Sequence, residues 1–314
     1  MLSVLWLLLG GVLLYLGAEW LIRGAVAVAV RAGMTPLVIG LTVVAAGTSM
    51  PELVVSLTGA LQGETALAIG NVVGSNICNI LLITGTAALI RPITVERSVV
   101  RREVPLMIAI SLLVGALMFW GRAVVRWEAV LLLSILAASI AWSIRNSRQD
   151  APLTELVTTV PASSMISSIP RSLFWILLGL VGLVAGANRF LEGAVEIART
   201  FGLSEATIGL TIVAIGTSLP ELATSVVAAV KKQGDIALGN VVGSNIFNLL
   251  GILGVAGLVR PLPLPAQGWG DLGVMVLTAV ILLPMARSGF CLQRWEGGVL
   301  LSGYIGYVTW LLMR

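Results

Sequence analysis

Two glutamates stand inside apolar stretches of this chain, each directly after a proline. Glu52 lies in the sequence GTSMPEL and Glu221 in the sequence GTSLPEL. A carboxylate at the centre of a bilayer costs at least about 2.5 kcal/mol, so it must be protonated, paired or functional. The segments around them hold no basic residue except Lys231 and Lys232, which lie near a predicted helix end. The sequence therefore favours a mobile cation as the counter-charge over a pair of neutral carboxylic acids.

Hydroxyl and amide side chains accompany both glutamates at helical spacing. Thr48 and Ser49 precede Glu52 by four and three residues, so the three side chains can share one helical face. The other oxygen-bearing candidates are Ser75 and Asn79 in the next apolar stretch, and Thr217, Ser218, Ser244 and Asn248 in the second copy. Hard cations such as Ca²⁺ and Na⁺ prefer these oxygens, and flexible multi-oxygen coordination suits Ca²⁺ better than octahedral Mg²⁺.

Pro51 predicts a break in the helix that carries Glu52. Proline has no N–H, so the carbonyl of Gly47 loses its helical partner and the preceding turn is distorted. The carbonyls around Ala45, Gly47 and Thr48 can then turn toward a cavity. Irregular backbone survives at membrane depth only where protein or a polar cavity surrounds it. A plain proline kink is the alternative, and the duplication beside a second glutamate argues against it.

The elements that position these residues are predicted to be membrane-spanning helices. The chain has 314 residues, of which 58% are hydrophobic and only 11% are charged, whereas soluble domains are about 25% charged. Apolar runs near the length of about 20 residues that spans a bilayer recur along the chain. They predict an all-α integral membrane protein with ten helices, at 3–25, 32–62, 65–90, 102–121, 125–144, 172–194, 203–231, 234–259, 269–287 and 293–313.

An internal repeat organises these helices. Residues 47–85 and 216–254 match at 21 of 39 positions without a gap, at a constant offset of 169, and both contain GNVVGSN. Five predicted helices separate the copies, and an odd number places equivalent segments in opposite directions across the membrane, as in secondary transporters. The predicted parts are a first five-helix repeat at 1–144 with its motif at 40–85, a polar cytoplasmic linker at 145–171, and a second, inverted repeat at 172–314 with its motif at 209–254.

Basic residues predict the orientation of the chain. With the N-terminus outside, thirteen Lys and Arg fall at inside helix ends and six at outside ends, which favours both termini outside a cytoplasmic or inner cell membrane. This pattern explains the net charge of +4 better than nucleic-acid binding does. The lipid bilayer is thus the expected surrounding, and no obligatory protein partner is evident.

The composition also argues against several kinds of chemistry. The chain contains no histidine, which excludes His-ligated zinc, axial haem ligation by His, Ser-His-Asp triads and zinc-protease signatures of the H-E-x-x-H type. No nucleophile–base pair is evident, so we predict a protein that is not an enzyme and carries no cofactor.

The paired segments GTS(M/L)PEL and GNVVGSNI(C/F)N resemble the two alpha-repeats of the sodium/calcium exchanger family, within the calcium/cation antiporter superfamily. The repeats and their flanks cover about half of the chain. The resemblance implies an exchange of intracellular Ca²⁺ for external Na⁺ at four ion sites clustered in the middle of the membrane. Length and helix number resemble the compact prokaryotic members, and the linker is too short for a large regulatory domain.

The resemblance also implies a role for each motif position. Glu52 and Glu221 are then the carboxylates that bridge Ca²⁺ and Na⁺ sites. The implied Ca²⁺ ligands further include the carbonyls of Thr48 and Thr217; the implied flanking Na⁺ sites are Ala45, Ser49 and Ser75 on one side and Ala214, Ser218 and Ser244 on the other; Asn79 and Asn248 face the middle.

Asn248 departs from the family pattern, because some members carry Asp there. The two glutamates give the cluster a formal charge of −2, which matches one Ca²⁺ but falls short of three Na⁺. The serine- and threonine-rich surroundings and the resemblance favour a Na⁺/Ca²⁺ antiporter that works by alternating access, because a proton would not need those hydroxyls. The low charge keeps a Ca²⁺/H⁺ antiporter on the same scaffold open. A cation channel is a weaker alternative, because inverted repeats typically enclose a midplane site between two moving bundles.

Overall fold

Helices dominate the computed structural model of the chain, which describes residues 2–150, 168–202, 212, 214–265 and 268–313. Within these ranges the helices are α1 Leu2–Ala32, α2 Pro36–Thr48, α3 Met50–Gln62, α4 Thr65–Ile90, α5 Val99–Gly121, α6 Arg126–Asp150, α7 Ile169–Thr200, α8 Ala214–Gly216, α9 Leu219–Val230, α10 Gly234–Val259, α11 Gly268–Arg287 and α12 Arg294–Met313.

All the long helices except α12 are apolar enough to cross a membrane. In the described part of the chain seven helices meet this condition, or eight if the bent pair α2 and α3 is one span. The predicted span 203–231 lies partly outside the described residues, and α9 is its described apolar portion. Helices α6 and α7 also extend into the predicted linker from both sides, and its residues 151–167 are not described.

Four two-residue strands modify the expected all-helical fold. They are β1 Ile93–Thr94, β2 Ala123–Val124, β3 Leu262–Pro263 and β4 Cys291–Leu292. Strand β1 pairs antiparallel with β4, and β2 pairs antiparallel with β3. The first pair therefore links the end of α4 to the start of α12. The second pair links the end of α10 to the start of α6.

Glycines let α1 and α7 pack with their backbones in close contact. A Cβ added to Gly10 would lie 2.4 Å from the Phe190 nitrogen, and one added to Gly17 would lie 2.6 Å from the Leu183 nitrogen. Small residues permit such close approach between membrane helices. Residue numbers rise along α1 from Gly10 to Gly17 while those of the contacting residues in α7 fall from Phe190 to Leu183, so the two helices run antiparallel. The two helices are equivalent at the repeat offset.

The predicted helix break is present, and it falls at Ser49. The axes of α2 and α3 differ by 47°, and Ser49 has φ −81° and ψ 10°, outside the helical range. Pro51 then occupies the first turn of α3, where its missing N–H costs nothing. Ser218, at the same position in the second copy, has nearly the same backbone, with φ −89° and ψ 7°.

Candidate cation site

The two broken helices exchange hydrogen bonds at the centre of the protein. Ser218 Oγ donates to Glu52 Oε1 at 2.9 Å, and Ser49 Oγ donates to Glu221 Oε1 at 2.9 Å. Each glutamate is only 1% exposed. The sequence spacing predicted that Ser49 shares a helical face with Glu52. In the structure its hydroxyl instead donates to Glu221 of the second copy. The four side chains thus form one shared centre.

Many oxygens around this centre have no hydrogen-bond partner. Ten buried side-chain atoms in the described residues are without one, and six of them belong to predicted site residues, namely Glu52 Oε2, Glu221 Oε2, Thr217 Oγ1, Ser244 Oγ, Asn79 Oδ1 and Asn248 Oδ1. An unpartnered buried polar atom costs roughly 1–3 kcal/mol, and more if it is charged. Oxygens are the ligands that Ca²⁺ and Na⁺ prefer. This donor set therefore fits a dehydrated hard cation.

The other predicted residues contribute less distinctly. Thr48 is buried, and its hydroxyl lies 3.1 Å from both Val44 O and Asn240 Oδ1, so it is already engaged. The Ala45 carbonyl accepts both the Ser49 N–H at 3.0 Å and the Thr48 hydroxyl at 3.3 Å. Ser75 is buried, and Ala214 begins the short helix α8.

Asn79 and Asn248 each begin a π-helical turn inside a long helix. The turns are Asn79–Thr84 in α4 and Asn248–Ile252 in α10. Such turns widen the helix locally and are frequent at functional sites. Asn79 Nδ2 donates to Asn245 Oδ1 at 3.0 Å. This bond uses the amide nitrogen, and Asn79 Oδ1 itself has no hydrogen-bond partner.

Two further asparagines hold the glutamates in place. Asn71 Nδ2 donates to the Glu52 carbonyl at 3.1 Å and to Ser56 Oγ at 2.8 Å. In the second copy, Asn240 Nδ2 donates to the Glu221 carbonyl at 3.4 Å and to Ser225 Oγ at 3.0 Å. Ser56 and Ser225 were not predicted as site residues. They are one repeat offset apart, and each follows its glutamate by one helical turn, so the repeat could have identified them.

We expect Asn240→Ala to weaken Ca²⁺ binding about tenfold, because a buried amide that fixes the Glu221 backbone is worth roughly 1–3 kcal/mol. The measurement is the half-saturating Ca²⁺ concentration for uptake, together with the melting temperature of the purified variant. Ser134→Ala removes an exposed hydroxyl that bonds only to Val130 O of its own helix. This control is expected to behave like the wild type, and an unchanged Ca²⁺ dependence in Asn240→Ala would show that Asn240 does not position Glu221.

The charge of the site comes from the two glutamates. The described residues hold no group of three or more His, Cys, Asp or Glu side chains suited to a metal ion. Lys231 Nζ forms an ion pair with Glu19 at 2.7 Å, so it does not neutralise Glu221. If both glutamates are ionised, their formal charge of −2 would balance one Ca²⁺.

The chain is similar to known exchangers over nearly its full length. The family described as sodium/calcium exchanger protein matches residues 2–145 and 171–313. The chain is 40% identical to the putative antiporter CaxA of Alkalimonas amylolytica over 97% of both chains. It is 33% identical to the sodium/calcium exchanger MaX1 of Methanosarcina acetivorans over 96% of both chains. The solved sodium-calcium exchanger NCX_Mj, soaked with zero Na⁺ and Ca²⁺, has a TM-score of 0.85 at 32% identity, with 98% of both chains covered.

Apolar helices around a buried cluster of oxygens, together with these similarities, define the chain as a transmembrane ion antiporter. The chain belongs to the sodium/calcium exchanger family. The resemblance in the two alpha-repeats is thereby confirmed at the level of the family.

Proposed function

We propose that the protein exchanges Ca²⁺ for Na⁺ across a cell membrane, with both ions using the oxygens around Glu52 and Glu221. The observation that carries this proposal is the crossed pair of Ser–Glu hydrogen bonds beside unpartnered carboxylate oxygens. One carboxylate oxygen of each glutamate is held by a hydroxyl, and the other is left for a cation. The names of the relatives point to the same pair of ions.

Competition for shared oxygens couples the two ions. One Ca²⁺ balances the two glutamates, and Na⁺ can balance the same charges with more ions and the neutral oxygens of Thr217, Ser244 and Asn248. A loaded site carries little net charge, so it can pass through a conformational change that a bare pair of buried carboxylates would oppose. The expected ligand set also includes Thr48, Ser49, Ser75, Asn79, Ala45, Ala214 and Ser218.

Alternating access between two inverted five-helix repeats is the proposed mechanism. The antiparallel packing of α1 against α7 supports it, because these helices are equivalent at the repeat offset. The crossed hydrogen bonds support it further, since each repeat completes the site of the other. We retain ten spans, both termini outside and a bacterial or archaeal cytoplasmic membrane as parts of the proposal.

Uptake of radiolabelled Ca²⁺ into proteoliposomes tests the coupling ion. We expect uptake into vesicles loaded with Na⁺ and none into vesicles loaded with K⁺ or choline. A pH gradient imposed in the absence of Na⁺ is the matched condition for the Ca²⁺/H⁺ alternative, which the two-carboxylate site keeps open. Uptake that follows the pH gradient and ignores Na⁺ would assign proton coupling instead. Flux without any counter-ion would indicate a channel.

A further inference from the structure

A third carboxylate lies beside the central site and takes no part in it. Glu103 ends the π-helical turn Val99–Glu103 at the start of α5, and it is 5% exposed. Its side chain lines a cavity of about 30 Å³, which is enough for a water molecule or a small dehydrated cation. The charged groups that act on it are its neighbour Arg102 and Glu96.

Three hydroxyl-bearing residues line the cavity together with Glu103, namely Thr42, Ser139 and Ser143. Thr42 Oγ1 donates to Val38 O at 2.6 Å, and Ser139 Oγ donates to Leu136 O at 2.9 Å. A hydroxyl has one proton to donate and two lone pairs to accept with. Because helix carbonyls take these two protons, the hydroxyls retain only acceptor capacity for a ligand. One carboxylate and hydroxyl lone pairs suit a hard cation better than a hydrogen-bond acceptor.

The cavity and the central site have a common wall. Ala46 and Gly243 line the cavity, and their chain neighbours Ala45 and Ser244 each belong to one of the two predicted flanking Na⁺ sites. Gly243 packs so tightly that an added Cβ would lie 2.8 Å from the Ala45 Cβ. An ion in the cavity is therefore separated from the central site by a single layer of residues.

We propose that Glu103, Thr42, Ser139 and Ser143 form a second cation site, which takes one Na⁺ next to the central oxygens. One carboxylate balances one monovalent ion, and Glu103 supplies the negative charge that Asn248 does not. With Glu103 the region offers three carboxylates as ligands for Na⁺, against two from the central glutamates alone. The inference rests on the proposed function for its role in transport, but the site itself does not depend on it.

Equilibrium binding of radiolabelled Na⁺ to the purified full-length protein tests the site. Glu103→Gln is expected to bind one Na⁺ fewer than the wild type, while Glu103→Asp retains the wild-type number. Glu128→Gln is the matched control, because Glu128 is equally buried but caps the start of α6 by accepting the Val125 N–H. The double variant Thr42→Val/Ser143→Ala removes two hydroxyls from the cavity residues and is expected to weaken the binding of the same Na⁺. It keeps the test possible if Glu103→Gln does not fold.

The transport readout separates Na⁺ from Ca²⁺. In Glu103→Gln the half-saturating Na⁺ concentration is expected to rise about threefold or more, and that of Ca²⁺ to change less than about twofold. Equal Na⁺ counts in the wild type and both cavity variants would overturn the proposal, as would a loss of Ca²⁺ binding alone. If the wild type takes up no Ca²⁺ on a Na⁺ gradient, the proposed function fails, and the Na⁺ count still decides the Glu103 site.

Discussion

Glu52→Gln and Glu221→Gln are each expected to lower Ca²⁺ uptake into Na⁺-loaded proteoliposomes by about a hundredfold or more, equivalent to at least about 2.7 kcal/mol. Glutamine keeps the size of the side chain and an oxygen for the crossed serine hydroxyl. It removes one of the two negative charges proposed to balance Ca²⁺, and it places an amide nitrogen or a neutral oxygen where a carboxylate oxygen had no partner. The measurement is the initial rate of uptake at saturating internal Na⁺.

Glu128→Gln controls for the loss of any buried carboxylate. This glutamate is 5% exposed, and its role is to accept the Val125 N–H at 2.9 Å. Transport by the control is expected to stay near that of the wild type. Fast uptake by either central variant would show that the crossed glutamates do not carry the transported ion.

Gly17→Val is expected to disrupt the packing of α1 on α7 and to abolish most transport. A Cβ at residue 17 would lie 2.6 Å from the Leu183 nitrogen and 2.9 Å from the Gly179 carbonyl oxygen. These are backbone atoms and cannot turn aside, so the helices must separate. Overpacking usually costs about 1–3 kcal/mol, which corresponds to a melting temperature lower by roughly 2–10 °C in a chain of this size. The measurement is thermal unfolding of the detergent-solubilised protein, followed by the uptake assay.

Gly11→Val is a matched control in the same helix. It makes the same change in helix propensity, but an added Cβ at residue 11 would meet nothing within 4 Å. We expect a melting temperature close to that of the wild type. Equal stability of the two variants would mean that α1 and α7 are not in close backbone contact.

Local chemistry made the broken helix predictable from the sequence. Pro51 lacks an N–H wherever it stands, so the chain must leave the helical path just before it. The structure places the break at Ser49 and repeats it at Ser218. The repeat places the same residue types before Pro51 and Pro220, so the same backbone break is expected in both copies.

Long-range packing determines the contacts between the two copies, which the sequence spacing could not predict. Spacing within one copy placed Ser49 beside Glu52, but the folded chain brings Ser49 to Glu221, 172 residues away. The burial of Glu103 has the same origin, because residues of α2, α6 and α10 enclose it. Pairing between β-strands of the two halves likewise depends on where the helices end in space.

Competition between Na⁺ and Ca²⁺ for the purified protein shows whether the two ions share one site, because binding is measured without requiring transport. The assay is equilibrium binding of radiolabelled Ca²⁺ at increasing Na⁺, with K⁺ holding the ionic strength constant. We expect Na⁺ to displace Ca²⁺, and we expect Glu52→Gln and Glu221→Gln to bind no measurable Ca²⁺, whereas Glu128→Gln binds like the wild type. Ca²⁺ binding that is insensitive to Na⁺, or that persists in both glutamine variants, would contradict this expectation.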